Sequence, residues 1–118
     1  MASLSFALFC GYFLAIILIS HAFEAPKAQI KVLKPKGFEV SIPDQNGISL
    51  FAFHGKLNKG FNGLEAGQFS RDITKAEGGR WTYRDTETEL KSGDTLYFWT
   101  YVLYNGQGYR EDNGKFVV

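Results

Sequence analysis

Beyond residue 22 the chain alternates apolar and polar positions in short runs, and nowhere does it keep apolar residues at helical spacing for three turns. Eight runs read as strands: Gln29–Leu33, Phe38–Ile42, Ile48–His54, Gln68–Thr74, Arg80–Arg84, Thr95–Tyr104, Tyr109–Glu111 and Lys115–Val118. The breaks between them carry turn chemistry, as in Lys34-Pro35-Lys36-Gly37, Pro43-Asp44-Gln45-Asn46-Gly47, Gly78-Gly79, Lys91-Ser92-Gly93-Asp94, Asn105-Gly106 and Asp112-Asn113-Gly114. A strand with one apolar side needs a second layer to cover it. Seven to eight short antiparallel strands in one small unit therefore predict an all-β, immunoglobulin-like sandwich. Asn58–Gly67, with three glycines and little alternation, is expected to be a long, flexible loop or an irregular edge.

The first 22 residues stand apart from this pattern. Leu4 to Ile19 is almost wholly apolar and is followed by Ser20-His21-Ala22, which reads as a secretory signal with cleavage before Phe23. That divides the chain into a signal peptide at 1–22 and one domain at 23–118, secreted and without a membrane anchor once cut. The cut also removes Cys10 and His21, so the domain has no cysteine, forms no disulfide, and keeps a single histidine, His54. A domain of this size must then hold together by apolar burial alone. A Cys/His zinc site is excluded and a Ser-His-Asp site has almost nothing to use; no metal or cofactor is implied. No Asn-x-Ser/Thr sequence is present for N-glycosylation.

With 13 basic and 12 acidic residues the formal charge is +1, which gives no sequence-wide attraction for a polyanion and argues against nucleic acid as a partner. The unusual quantity is the aromatic content, 16%, and its placement is informative. In Thr95–Tyr104 a strand puts Leu96, Phe98, Thr100 and Val102 on one side and Tyr97, Trp99, Tyr101 and Leu103 on the other. The first set makes the better core, leaving an aromatic row in water, and a contiguous patch of that kind marks a binding site. Flat rings can cover the C–H face of a sugar while carboxylate and guanidinium groups take its hydroxyls. The competing reading makes Trp99 an inward core tryptophan, with Tyr97 and Tyr101 as ordinary cross-strand pairs.

Neighbouring runs add polar groups. If Phe69 and Ile73 face the core, then Gln68, Ser70 and Asp72 turn outward, and Arg110 returns beside the aromatic strand after the Asn105–Gly108 turn. Solvated charges or a weak ion pair would explain Asp72 and Arg110 equally well. Trp81, Tyr83, Phe51 and Phe53 read as core. An enzyme reading fails on inventory: the acidic run Asp85-Thr86-Glu87-Thr88-Glu89 reads as a solvated loop without apolar surroundings to raise a carboxyl pKa, and His54 reads as a satisfied strand-end histidine.

Several ordered motifs then point one way. Pro35-Lys36-Gly37-Phe38, Val40-Ser41-Ile42-Pro43-Asp44, Ile48-Ser49-Leu50-Phe51-Ala52-Phe53-His54-Gly55, Gly63-Leu64-Glu65-Ala66-Gly67, Arg71-Asp72-Ile73, Gly79-Arg80-Trp81-Thr82, Gly93-Asp94, Trp99-Thr100-Tyr101-Val102 and Gly108-Tyr109-Arg110 span nearly all of Lys27–Val118. Together they resemble the N-terminal domain of the arthropod β-1,3-glucan recognition proteins, also called Gram-negative-bacteria-binding proteins. The resemblance implies an immunoglobulin-like sandwich without catalytic activity. It also implies binding of fungal β-1,3-glucan as a triple-helical polymer, in haemolymph, as a pattern-recognition module of innate immunity. It carries a glucan-contacting role onto Asp72, Trp99 and Arg110, and it moves the reading of Trp99 from core to surface. Tyr101, in the same motif and on the same row, joins them as a candidate. Gln68 is added by its expected face and nearness to Asp72.

Family members continue through a linker into a larger glucanase-like domain, whereas this chain stops at Val118. Sugar binding is expected of the domain alone, with self-association on the polymer open and recruitment of downstream proteases left in question. The alternative from another class is an immunoglobulin-like protein-interaction module whose aromatic face docks a partner chain; a third reading is a remnant glycosidase.

Overall fold

The computed structural model describes residues 23–63 and 65–118; the expected signal segment at 1–22 lies outside the described residues. Seven strands follow in order: β1 (Gln29–Val32), β2 (Phe38–Pro43), β3 (Ile48–Leu57), β4 (Phe69–Ile73), β5 (Arg80–Asp85), β6 (Thr95–Tyr104) and β7 (Gln107–Val117). They form two antiparallel sheets, one in the order β1-β2-β5 and the other in the order β4-β3-β6-β7. This is the expected sandwich, with the fourth strand beside the third in the larger sheet.

The core lies between the two inner faces. β2 contributes Phe38, Val40 and Ile42, β5 contributes Trp81 and Tyr83, β3 contributes Phe51 and Phe53, and β6 contributes Leu96 and Val102, all buried. Phe53 touches both layers, with ring centroids 4.8 Å from Tyr83 and 6.3 Å from Phe38, so aromatic edges and faces fill the gap that a disulfide would otherwise bridge. Trp81, buried among them, donates its indole N–H to Asp44 Oδ1 at 2.8 Å, which satisfies its one polar atom. Ahead of β1, Phe23 stacks on Tyr104 at 3.8 Å and meets Tyr109 edge-on, which pins the start of the domain to the β6–β7 end.

Two departures from the sequence pattern matter for function. β3 continues three residues past His54, through Gly55, Lys56 and Leu57, so His54 is mid-strand rather than at a strand end. The last two candidate strands are one: Asp112-Asn113-Gly114, read as a turn, is a bulge inside β7. Phe98 pairs with Gly114 and Thr100 with Glu111, so Asp112 and Asn113 together oppose Trp99, and Asn113 takes a left-handed φ of 61°. The extra residue switches the side on which β7 residues point. Arg110, opposite Tyr101, and Lys115, opposite Tyr97, therefore both face outward, while Phe116, opposite Leu96, packs toward the core. The Asn105-Gly106 turn joining β6 to β7 has φ of 49° and 80°, the two left-handed positions a two-residue hairpin asks for.

Because the core rests on burial without a covalent link, Phe53→Ala is expected to cost about 3–5 kcal/mol in urea unfolding. Val117→Ala, at a side chain 59% exposed, is expected to change stability by less than about 0.5 kcal/mol. Similar unfolding midpoints for the two variants would show that the core is held in some other way.

Candidate functional site

The outer face of the β4-β3-β6-β7 sheet carries the site. Register places Asp72, Ala52, Tyr101 and Arg110 side by side across the four strands, in one row. The next row holds Ser70, His54 and Trp99. Three inter-strand steps separate Asp72 from Arg110, about 14 Å, so the two charges do not pair but bracket a floor of Ala52 and Tyr101. Leu50, Leu103, His54 and Trp99 complete an open depression of about 400 Å³ between them. The Tyr101 ring lies against Gly108, where a Cβ would collide with the phenol; glycine is needed there for close approach.

Trp99 stands outside the core, and its surroundings are specific. His54 stacks on it at 3.9 Å between ring centroids with the planes 10° apart. The Arg110 guanidinium sits 4.6 Å from the indole centroid. Since His54 belongs to β3 and Arg110 to β7, on either side of β6, both broad faces of the indole are covered and its outer edge is what meets solvent. The indole N–H donates to the Glu65 carbonyl at 3.0 Å. His54 Nδ1 lies 2.9 Å from the Ala66 carbonyl; a carbonyl can only accept, so the hydrogen on that nitrogen points at Ala66, with Ser70 Oγ also within 3.0 Å. Arg110 is steadied by Asp112 Oδ1 at 2.6 Å and keeps further N–H groups free to donate.

The segment from Asn58 to Gly67, expected to be flexible, is tied to this face. Asn58, in a left-handed conformation, exchanges side-chain hydrogen bonds with Asp94 and the Thr95 backbone. Glu65 binds Lys56 Nζ at 2.7 Å and the Asn62 N–H at 2.6 Å. Phe61 lies over the Lys56 ammonium at 5.3 Å.

Of the sequence candidates, Asp72, Tyr101 and Arg110 share one row and Trp99 adjoins it. Asp72 has no ion-pair or hydrogen-bond partner among the described residues. Gln68 does not join them: it precedes β4, is exposed, and accepts the Leu57 N–H at 3.3 Å at the far end of β3. Missed by the sequence reading were His54 and Glu65. His54 was legible in principle, because Ala52, His54 and Lys56 alternate against buried Phe51, Phe53 and Gly55. Nothing in the sequence signals that the Glu65 carbonyl reaches Trp99. The acidic run is not part of the face: Asp85 Oδ1 caps the backbone N–H groups of Glu87 and Thr88 in a turn.

An open sheet face with an apolar, aromatic floor, an unshared carboxylate on one side and a guanidinium on the other is chemically suited to a carbohydrate, and the family match gives the class: a carbohydrate-binding β-sandwich domain. Residues 24–118 match the family CBM39, described as "Carbohydrate binding domain (family 32)", and the chain belongs to it. The chain is 64% identical over 109 residues to Gram-negative bacteria-binding protein 3 of Drosophila melanogaster, covering 92% of this chain and 22% of that protein. It is 53% identical over 107 residues to beta-1,3-glucan-binding protein 1 of Galleria mellonella, covering 91% and 22%. With beta-1,3-glucan-binding protein of Tenebrio molitor it shares 58% over 100 residues, covering 81% and 21%. The chain thus spans about a fifth of the length of these relatives.

The loop contact gives the site a pH dependence. Hydrogen bonds from Lys56 and from the Asn62 backbone hold the Glu65 carboxyl below its ordinary value of 4.5. A lowered folded-state value means that the loop's contribution is whole above pH 4.5 and is lost as pH falls through the folded value. Acidification from pH 6 through the folded value, which lies below 4.5, is expected to shift the Trp99 indole N–H resonance, and Glu65→Gln is expected to show the low-pH position already at pH 6. An indole signal that ignores both changes would mean the loop does not depend on this carboxylate.

Proposed function

We propose that residues 23–118 form a secreted, non-catalytic domain that binds the β-1,3-glucan of fungal cell walls in haemolymph, as a pattern-recognition module of innate immunity. The observation that carries this is the row Asp72–Ala52–Tyr101–Arg110 beside the edge of Trp99, lining a depression that stays open beside the Asn58–Gly67 loop. Relatives named for β-1,3-glucan binding match over most of the domain, which supports this sugar above others. The apolar run Leu4–Ile19 supports secretion.

Sugar C–H faces rest on Ala52 and Tyr101, the outer edge of Trp99 forms a wall, and Asp72 and Arg110 take hydroxyls at either side. The indole has a second role as the platform on which Arg110 lies. The sequence-based picture of a glucose ring laid on the indole face changes accordingly, because His54 and Arg110 occupy both faces. Strand positions about 14 Å apart reach beyond one pyranose ring, so Asp72 and Arg110 suit hydroxyls on neighbouring chains of an ordered glucan. Each contact is modest, with a hydrogen bond to a charged group contributing about 1.5–3 kcal/mol. Domains arrayed on a repeating polymer, with or without contact to one another, gain strength by avidity.

Co-sedimentation with curdlan, cellulose and chitin tests the reading. The domain is expected on curdlan alone, with Asp72→Ala and Arg110→Ala each lowering retention about tenfold and Trp99→Ala lowering it further. Wild-type retention by a folded Trp99→Ala variant would overturn the proposal, and saturable capture of a protein partner with indifference to curdlan would favour an interaction module instead.

A further inference from the structure

The stack of Trp99 and Arg110 has two sides. One closes the depression that holds Asp72 and Tyr101; the other walls a second, larger hollow of about 540 Å³. Phe61, Tyr97, Asp112, Asn113 and Lys115 line it, together with Trp99 and Arg110 themselves. Tyr97 is on the same outward parity of β6 as Trp99 and Tyr101, so three aromatic side chains recur every second residue along about 13 Å of strand. Lys115, turned outward by the bulge, holds its ammonium 6.0 Å from the Tyr97 ring centroid. The far wall is the tied-down loop, where Phe61 is only partly buried. At Gly60 and Gly63 a Cβ would meet nothing within 4 Å, so the loop leaves the hollow open rather than filling it.

We infer that this hollow is a second polysaccharide subsite, which takes the continuation of the glucan that occupies the Asp72–Arg110 row. Tyr97 and Phe61 supply apolar faces for C–H contact, and Lys115 with Asn113 supplies hydroxyl partners, the same division of labour as in the first depression. The occupant is the same polymer because the two depressions adjoin at Trp99 and Arg110, which line both: a chain too long for one can run over that ridge into the other. The inference rests on the glucan reading of the first depression and extends its length.

Curdlan binding by Tyr97→Ala, Lys115→Ala and Trp99→Ala, each checked for a native unfolding midpoint, separates the two ideas. Tyr97→Ala is expected to weaken binding about tenfold and Lys115→Ala about threefold, both less than Trp99→Ala. If Trp99→Ala loses curdlan while Tyr97→Ala and Lys115→Ala bind as the wild type does, the second subsite is refuted and the first stands. If all three bind as the wild type does, the glucan reading itself falls, and the inference with it. Should Tyr97→Ala fail to fold, Lys115→Glu decides: unchanged binding refutes the subsite, and a loss larger than that of Lys115→Ala supports it.

Discussion

The outer aromatic face exists because β6 commits Leu96, Thr100 and Val102 to the interior, and alternation then leaves Tyr97, Trp99 and Tyr101 no inner position. Phe51 and Phe53, opposite Val102 and Thr100, enforce the same choice on β3 and so turn Ala52, His54 and Lys56 outward. A slip of one residue would not expose one aromatic; it would carry His54, Lys56 and the whole aromatic row inward together. Burying such charge without partners costs several kcal/mol per group, which is enough to fix the register in a domain of marginal stability.

A single irregularity adapts this regular sheet to its task. Arg110 and Lys115 are five residues apart and would face opposite sides of a regular strand; the bulge at Asp112-Asn113 lets β7 present both to the outside and return Phe116 toward the core. The bulge sits opposite Trp99, and its Asp112 steadies the guanidinium that covers the indole. Local disruption of the ladder and placement of the charged groups are thus one event. The loop does comparable work from the other direction, since the Glu65 and Ala66 carbonyls bind Trp99 and His54 and hold that stack upright.

Much of this was legible before any coordinates. Period-two alternation located the strands and put Trp99 and Tyr101 on one side of β6, but the pattern leaves open which side faces the core, and the family resemblance turns it. Asn105-Gly106 announced its hairpin for a local reason. Asp112-Asn113-Gly114 carries an equally strong local turn signal, yet pairing with β6 on both sides of it keeps the strand running, and that pairing is a tertiary fact. Alternation gives Gln68 a side but not its place along the strand: it lies just before β4 begins, where its side chain accepts from the Leu57 backbone. The indole's covered faces could not be read at all, since His54, Trp99 and Arg110 meet only across three strands.

Those covered faces bear on what kind of ligand the surface suits. A free indole face would grip any single pyranose, whereas an edge flanked by a guanidinium offers a small ligand little contact area and one or two hydrogen bonds. Among the described residues both hollows on this face are open rather than enclosing, and a flexible oligosaccharide would lose conformational freedom on being laid across strand positions about 14 Å apart. An ordered polymer has already lost that freedom and presents hydroxyls at fixed spacing. Rigidity on both sides then converts several weak contacts into useful binding, and the same geometry discriminates against the short sugars that would otherwise compete.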